Sequence, residues 1–213
     1  MLKQIKGALL GGHFQYYIIK EYFIKICWDK EWIEKEFLNL KKYWNKLSIE
    51  NLQLAEPVKY SLDKNYIVTK FVKGKRLAEL LDPRIHYRFG RLLKEFHKKG
   101  FTHSHIELTD IIYRNGKFTL VDVPFFNEKT SIHDLATIGI CFKIFRIKQP
   151  WKWYKYNKCY KEFLRGYDLK KLSEYKNEYK RSFNNRMDYF IRIGKKNKIK
   201  AYIMNFFYKI GLL

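Results

Sequence analysis

The side chains best suited to acid–base and metal chemistry lie close together in one stretch of the sequence. His103, His105, Glu107 and Asp110 fall within eight consecutive residues, and Asp122 follows twelve residues later. A neutral imidazole can accept a proton near pH 7, and carboxylate oxygens are the ligands that Mg²⁺ prefers. The stretch therefore carries residue types suited to general-base catalysis and to metal binding.

The flanking sequence predicts the elements that must position these side chains. A helix is predicted from Asp82-Pro83, with Asp as N-cap and Pro in the first turn, to a stop at Gly100. An apolar triplet at 111–113, the Asn115-Gly116 pair and an apolar run at 117–121 predict a β-hairpin. The second strand of this hairpin ends beside the loop that carries the histidines.

An earlier region contributes a lysine. Residues 13–27 are rich in β-formers on both sides of Lys20-Glu21, which predicts two strands joined by a tight turn. Lys25 is flanked by apolar residues in the second strand, so it needs either an anion or a solvent-facing side. The next segment, Lys30 to Leu47, has apolar residues at helical spacing.

The order of these parts resembles the catalytic and metal-binding segment of the protein-kinase-like fold. Its pattern is H-x-D-x-x-x-x-N, a hydrophobic triplet, a hairpin, and then D-F-G or a relative of it. His103 falls on the first position, His105 on the catalytic Asp, Asp110 on the metal-binding Asn and Asp122 on the second metal-binding Asp; two of these four positions are changed. The resemblance implies a small bilobal α+β fold, with an antiparallel sheet and one helix in the N-lobe and a mainly helical C-lobe.

The same resemblance implies a site for ATP. Lys25 takes the position of the lysine that contacts the phosphates, and Glu36 takes that of its partner glutamate, with Glu34 as the alternative. Backbone groups of about Lys70 to Val72 would face the adenine at the hinge between the lobes. A glutamate on a basic helix can equally be solvated and pair with a lysine four residues away.

The resemblance also assigns the chemistry. Asp110 and Asp122 would bind Mg²⁺, and His105 and Asp122 are the catalytic candidates, with His105 as the base. Ser131 and Asp134 can form a capping box for a following helix. In relatives an Asp at this place holds the backbone of the catalytic loop, and a plain acid at a helix N-terminus is an equally good interpretation of Asp134.

Within the fold, the sequence resembles the bacterial lipopolysaccharide core heptose kinases. The shared features lie at Ile18 to Lys20, Phe23 to Lys25, Leu93 to Gly100 and Asn115 to Asp122, and the resemblance covers roughly residues 15–145. It implies ATP-dependent phosphorylation of a sugar hydroxyl on a lipid-linked or phosphorylated glycan, in the cytoplasm at the inner face of the cell membrane.

Charge and domain organisation fit this interpretation. The formal charge of +23 indicates an anionic partner, although a Lys-rich composition can also reflect an AT-rich genome. We predict a single domain, with an N-lobe at about 1–70, the core of the C-lobe at 71–150 and a basic aromatic helical extension at 151–213. A basic amphipathic helix at 196–210 could rest on anionic lipid. We do not expect nucleic acid as a partner, because no binding motif accompanies the aromatic residues.

Two alternatives remain. The changes at His105 and Asp110 are also those of a catalytically impaired pseudokinase that acts as a nucleotide-binding or scaffold protein. Separately, His103, His105 and Glu107 alternate as H-x-H-x-E, which on a strand would place all three on one face for Zn²⁺.

Overall fold

The structure, a computed structural model, describes residues 2–5, 14–170 and 172–192. The described strands are β1 (Leu2–Ile5), β2 (Phe14–Ile19), β3 (Tyr22–Cys27), β4 (Leu52–Leu54), β5 (Pro57–Ser61), β6 (Tyr66–Lys70), β7 (Lys75–Arg76), β8 (Ile111–Arg114) and β9 (Lys117–Leu120). The described α-helices are α1 (Lys30–Tyr43), α2 (Pro83–Lys98), α3 (Ser131–Lys148), α4 (Trp153–Tyr167) and α5 (Leu172–Arg192).

The first sheet has the strand order β1-β2-β3-β6-β5, and all its neighbours are antiparallel. Its strands are rich in aromatic and β-branched residues, which pack well on a pleated surface. The predicted turn at Lys20-Glu21 joins β2 to β3, with Lys20 at φ 53°. This sheet holds β3, and with it Lys25, in the centre.

Helix α1 packs against strands β3, β5 and β6 of this sheet. It begins after Asp29, whose carboxylate accepts the N–H of Trp32 at 3.2 Å. Its buried apolar residues lie at intervals of three or four, at Ile33, Phe37 and Leu40. The helix ends at Tyr43, four residues before the predicted Leu47. A turn follows in which the carbonyl of Tyr43 accepts the N–H groups of both Lys46 and Leu47.

The second sheet has the order β4-β9-β8-β7 and connects early and late parts of the chain. Strand β4 pairs in parallel with β9, 66 residues later, from Leu52–Phe118 to Leu54–Leu120. The predicted β8–β9 hairpin is present, and Asn115 and Gly116 both have positive φ, at 48° and 85°. Two positive φ values are what a two-residue turn of this twist needs.

The C-terminal helices pack around α2. Helix α2 is capped by Asp82, which accepts the N–H of Arg84 at 2.9 Å, and the predicted stop residue Gly100 follows the helix at φ 82°. Helices α2 and α4 approach so closely that a Cβ at Gly90 would lie 2.2 Å from the carbonyl oxygen of Phe163. Helix α3 lies between α4 and α5 and contacts both, so it is buried over much of its length.

The predicted capping box at the start of α3 is not the one observed. The helix begins at Ser131, but its N-cap is Thr130, whose side chain accepts the N–H of His133 at 3.3 Å. The side chain of Asp134 does not cap the helix and instead contacts the loop that carries the histidines.

These elements confirm the predicted α+β class, with an antiparallel sheet and one helix followed by a mainly helical part. The predicted lobe boundaries stay predictions. The predicted amphipathic helix at 196–210 lies outside the described residues. No helix within the described ranges is both long and apolar enough to cross a membrane.

Candidate active site

The site is built around Lys25 in the middle of β3. Its side chain is 3% exposed, and its Nζ lies 2.7 Å from Oε2 of Glu36 and 2.9 Å from Oδ1 of Asp122. The structure thus brings together the predicted lysine, the preferred glutamate of α1 and the Asp that follows β9. Glu34, the alternative partner, is not in this contact.

These three groups determine one another's ionisation. Burial alone would lower the pKa of Lys25, but the carboxylates of Asp122 and Glu36 outweigh it and raise the pKa above its ordinary value. Burial raises the pKa of Glu36 to about 7, although Lys25 opposes this. The ammonium is therefore kept charged and fixed in place between two carboxylates.

Asp122 occupies an unusual backbone position. It has φ 63°, in the left-handed region, where a non-glycine residue costs about 1–2 kcal/mol. Asn39 of α1 donates through Nδ2 to the carbonyls of the next two residues, Val123 at 3.0 Å and Pro124 at 3.1 Å. Helix α1 therefore holds the segment after Asp122 as well as supplying Glu36.

Asp134 fixes the loop that carries the histidines. This fully buried carboxylate accepts the N–H of His103 at 2.8 Å and of Ser104 at 2.7 Å, and it lies 3.1 Å from Nε2 of His97. Of the two interpretations that the sequence leaves open for Asp134, the structure supports the loop-anchoring one.

His105 stands at the edge of this loop, next to a carboxylate. Its side chain is 51% exposed, and its Nε2 lies 3.9 Å from Oε1 of Glu107. Surrounding protein atoms lower its pKa, and Glu107 partly offsets this. Burial therefore favours the neutral imidazole, and the Glu107 carboxylate favours the protonated one.

Glu107 is held in turn by a residue from the far end of the chain. Arg186 of α5 donates a hydrogen bond from Nη2 to Oε1 of Glu107. Burial raises the pKa of Glu107, but Arg186 and His105 outweigh this and lower it overall. The sequence indicates no such pair, since 79 residues separate the two partners.

Asp110 lies at the end of the histidine-bearing loop, directly before β8. Its Oδ2 accepts the N–H of Glu107 at 3.0 Å, and its carbonyl accepts the N–H of Val121 at 2.9 Å. Burial, followed by the nearby carboxylates of Glu107 and Asp122, raises its pKa well above the ordinary value. A cation placed here would relieve this repulsion.

The residues present fit Mg²⁺. Asp110 and Asp122 flank the paired ends of β8 and β9, where Ile111 faces Leu120. Mg²⁺ is usually held by one or two carboxylates together with substrate phosphates and water. The surroundings hold more carboxylates than cations: Glu36, Glu107, Asp110 and Asp122 against Lys25 and Arg186.

The zinc hypothesis gains no support from this geometry. His103 is fully buried, and neither ring nitrogen has a hydrogen-bond partner among the described residues. His103 therefore lies in the core, whereas the His105 side chain is 51% exposed. Across the part of the chain that the structure describes, no three His, Cys, Asp or Glu side chains are grouped to hold a metal ion.

The predicted hinge begins where β6 ends. The Lys70 side chain is 51% exposed and pairs with Glu56 at 2.9 Å, and its amide donates to the Glu56 carbonyl at 2.9 Å. The amide of Phe71 donates to the Glu21 carbonyl at 2.7 Å. Among the described residues, the backbone N–H of half-buried Val72 makes no hydrogen bond. Of the three amides of the predicted hinge, this one is therefore available to a ligand.

Solved structures that resemble this chain are phosphotransferases by description. The ADP-bound aminoglycoside phosphotransferase APH(2'')-Ib is 13% identical, with 94% of this chain and 90% of that chain covered and a TM-score of 0.58. The gentamicin complex of APH(2'')-IIa is 12% identical, with coverages of 95% and 89% and a TM-score of 0.63. A choline/ethanolamine kinase family protein from Mesorhizobium loti is 10% identical, with coverages of 84% and 75% and a TM-score of 0.56.

These likenesses establish the fold. No family model and no curated protein matches the sequence. The chain has the protein-kinase-like fold, as the loop and hairpin pattern predicts. The narrower resemblance to lipopolysaccharide core heptose kinases stays a prediction.

Proposed function

We propose that this protein is an ATP-dependent phosphotransferase that phosphorylates a sugar hydroxyl of a lipid-linked glycan, such as the lipopolysaccharide core. The observation that carries the proposal is the position of Lys25 between Glu36 and Asp122. In kinases a strand lysine is positioned in this way by a helix glutamate to contact the nucleotide phosphates. The similar structures support the class of acceptor, because several were determined with aminoglycosides, which are sugar derivatives.

In this proposal each charged group has one task. The ammonium of Lys25 contacts the phosphates of ATP, and the carboxylates of Asp110 and Asp122 hold Mg²⁺. Bound Mg²⁺ supplies positive charge that offsets the negative charge on the transferred phosphoryl group. The amide of Val72 and the carbonyl of Lys70 face the adenine.

His105 completes the reaction as general base. The acceptor oxygen forms a bond to the γ-phosphorus while the bond from that phosphorus to the ADP oxygen breaks, and the hydroxyl proton passes to the imidazole. Glu107 favours the resulting imidazolium, since the carboxylate lies 3.9 Å from Nε2. A general base contributes about 10²–10⁴-fold, and most of the remaining rate in phosphoryl transfer comes from positioning and charge neutralisation.

A second candidate is a nucleotide-binding pseudokinase. It is favoured by the histidine at the position of the catalytic Asp and by Val123-Pro124 in place of Phe-Gly after Asp122. Such a protein would retain Lys25 and Glu36 and bind nucleotide without turnover.

Calorimetry with Mg-ATP tests the site, and turnover then separates the two candidates. We expect the parent to bind Mg-ATP and both Lys25→Ala and Asp122→Ala to lose detectable binding. Lys59→Ala is the matched control, because Lys59 is an exposed lysine on β5 of the same sheet. Equal binding by Lys25→Ala and Lys59→Ala would refute the kinase-type site.

ADP release with purified lipopolysaccharide core as acceptor follows. Acceptor-dependent ADP release that falls at least about 100-fold in His105→Ala supports the enzyme with His105 as base. Binding without any release, with that acceptor or with free sugars, supports the pseudokinase.

A further inference from the structure

Helix α4 and the short 3₁₀ turn before it carry a stripe of exposed residues that the proposed site does not use. Trp151 in the turn and Tyr154 in the helix have 77% and 75% of their surface exposed. Lys155, Lys158 and Lys161 of α4 are exposed as well. These three lysines follow one another at intervals of three residues, and together with Tyr154 they lie on one face of the helix. We call these five residues the α4 ridge.

The opposite face of α4 fixes the ridge firmly. Tyr156, Cys159 and Phe163 are buried on that face. Gly166 allows α4 to touch α2, since a Cβ there would lie 2.1 Å from the carbonyl oxygen of Tyr87. The helical part of the ridge therefore lies on a helix whose opposite face is buried against the rest of the protein.

The exposure of the two rings needs an explanation of its own. Tyr156 and Phe163 of the same segment are buried beneath its lysine-rich surface. Trp151 and Tyr154 are not. Large amphipathic rings at a protein surface are typical of contact regions where one side is apolar and the other wet.

The charge along the ridge is positive. Glu162 is the one acidic residue of α4, and it pairs with Arg165 at 2.5 Å on the same helix. The three lysines of the ridge are thus left to face a partner with their charge intact, in a chain whose formal charge is +23. Charge complementarity selects an anionic surface.

We propose that the α4 ridge docks on an anionic lipid surface. Trp and Tyr are enriched where proteins meet the membrane interface, and lysines beside them gain from anionic headgroups. The aromatic pair lies at one end of the ridge, and the lysines follow along α4. Proteins that bind single-stranded nucleic acid instead follow the strand with a positively charged groove and spaced stacking rings, so lipid fits this shape better.

The proposal is independent of phosphotransfer, although it would bring the site close to a lipid-linked acceptor. The test uses the full chain and sedimentation with phosphatidylcholine vesicles that contain or lack phosphatidylglycerol. We expect the parent to bind the anionic vesicles and to release them as salt is raised.

Trp151→Ala should weaken binding to anionic vesicles about 10-fold, because a Trp side chain has a large apolar area to bury. Trp28→Ala is the matched control, since Trp28 is 69% exposed and lies directly after β3, outside the α4 ridge. Equal binding by Trp151→Ala and Trp28→Ala would overturn the proposal.

A triple variant, Lys155→Gln/Lys158→Gln/Lys161→Gln, tests the charges. It should weaken binding about 10-fold or more and reduce the salt dependence. The matched control changes three exposed lysines near the end of α1, namely Lys41, Lys42 and Lys46. Equal effects of the two triple variants on vesicle binding would contradict the proposed docking role of the ridge. A larger loss of oligonucleotide binding than of vesicle binding would also contradict it and would indicate nucleic acid as the partner.

Mg-ATP calorimetry on the ridge variants separates this proposal from the proposed function. Unchanged nucleotide binding with weakened vesicle binding shows that the variants are folded and that the ridge acts on lipid. If the parent fails to bind Mg-ATP but binds vesicles through the ridge, the proposed phosphotransferase function is wrong and the proposed lipid-docking surface is supported.

Discussion

At the scale of single residues, the proposed catalysis depends on His105 as the base and on Glu107 beside it. The carboxylate raises the pKa of the imidazole, against the effect of burial. Glu107→Gln removes that charge, so the pKa of His105 should fall. A base is active when unprotonated, and the acidic limb of the rate profile should therefore move to lower pH.

The check is the pH dependence of kcat/KM together with the NMR titration of the His105 ring. Glu95→Gln is the control, because Glu95 is a half-exposed residue of α2 that pairs with Lys99. If the His105 ring titrates in Glu107→Gln as it does in the parent, Glu107 does not influence the pKa of His105.

His86 predicts how stability responds to acid. The ring is 1% exposed, its Nε2 lies 2.7 Å from the carbonyl oxygen of Leu80, and burial lowers its pKa from 6.5 to about 4. Below pH 6.5 the unfolded chain binds a proton that the folded chain refuses. The stabilising contribution is complete above pH 6.5 and is lost as the pH falls towards 4, by about 3 kcal/mol in all.

Urea unfolding above and below this window measures the effect. His86→Leu should be less stable at neutral pH, because the Leu80 carbonyl loses its partner, but its stability should fall less steeply with acid. If the free energy of unfolding of His86→Leu falls with acid as steeply as that of the parent, groups other than His86 cause the loss of stability.

At the element scale, α5 supports the catalytic loop through Arg186. Arg186→Met leaves Glu107 with a neighbouring histidine but without its guanidinium partner. Removing one member of a buried pair costs roughly 3–5 kcal/mol in other proteins, and since Arg186 is 16% and Glu107 24% exposed we expect the lower end or less. Turnover should fall while Mg-ATP binding is retained, because Lys25 is held by Glu36 of α1 and by Asp122.

Arg181→Met is the control for this variant. Arg181 lies on the same helix and pairs with Glu178, but its side chain is 68% exposed. Turnover and unfolding by urea should be nearly unchanged in it. Loss of Mg-ATP binding in Arg186→Met would mean that α5 acts on the nucleotide side instead.

Sequence and structure agree best on elements that local signals define. The hairpin at Asn115-Gly116 and the start of α2 at Asp82 follow from turn and capping preferences of a few neighbouring residues. The end of α1 and the cap of α3 were less well predicted. Both depend on which carbonyl or hydroxyl is free once the surrounding chain has packed, and neighbouring residues offered more than one choice.

For the whole molecule, the site joins parts of the chain that are far apart. Lys25 lies in the first sheet, and Asp122, 97 residues later, follows β9 of the second sheet. Bound nucleotide would therefore stabilise both sheets together. A ligand at 100 times its Kd adds about 2.7 kcal/mol to the free energy of unfolding.

Thermal unfolding with and without saturating Mg-ATP measures this linkage. The parent should show one cooperative transition that rises with nucleotide, and Lys25→Ala should not respond. A rise of equal size in Lys25→Ala would place the nucleotide elsewhere on the protein.

The sequence by itself determined which residues can do the chemistry and which local elements carry them. Lys25, Glu36, Asp110 and Asp122 stand at positions that a motif and short-range preferences pick out. Only the tertiary structure decided that Lys25 pairs with Glu36 and that Asp134 anchors the loop. It also decided that Arg186 pairs with Glu107 and that the residues of the α4 ridge are exposed together. Turns and caps depend on adjacent residues, whereas contacts across 79 or 97 residues depend on how every intervening element packs.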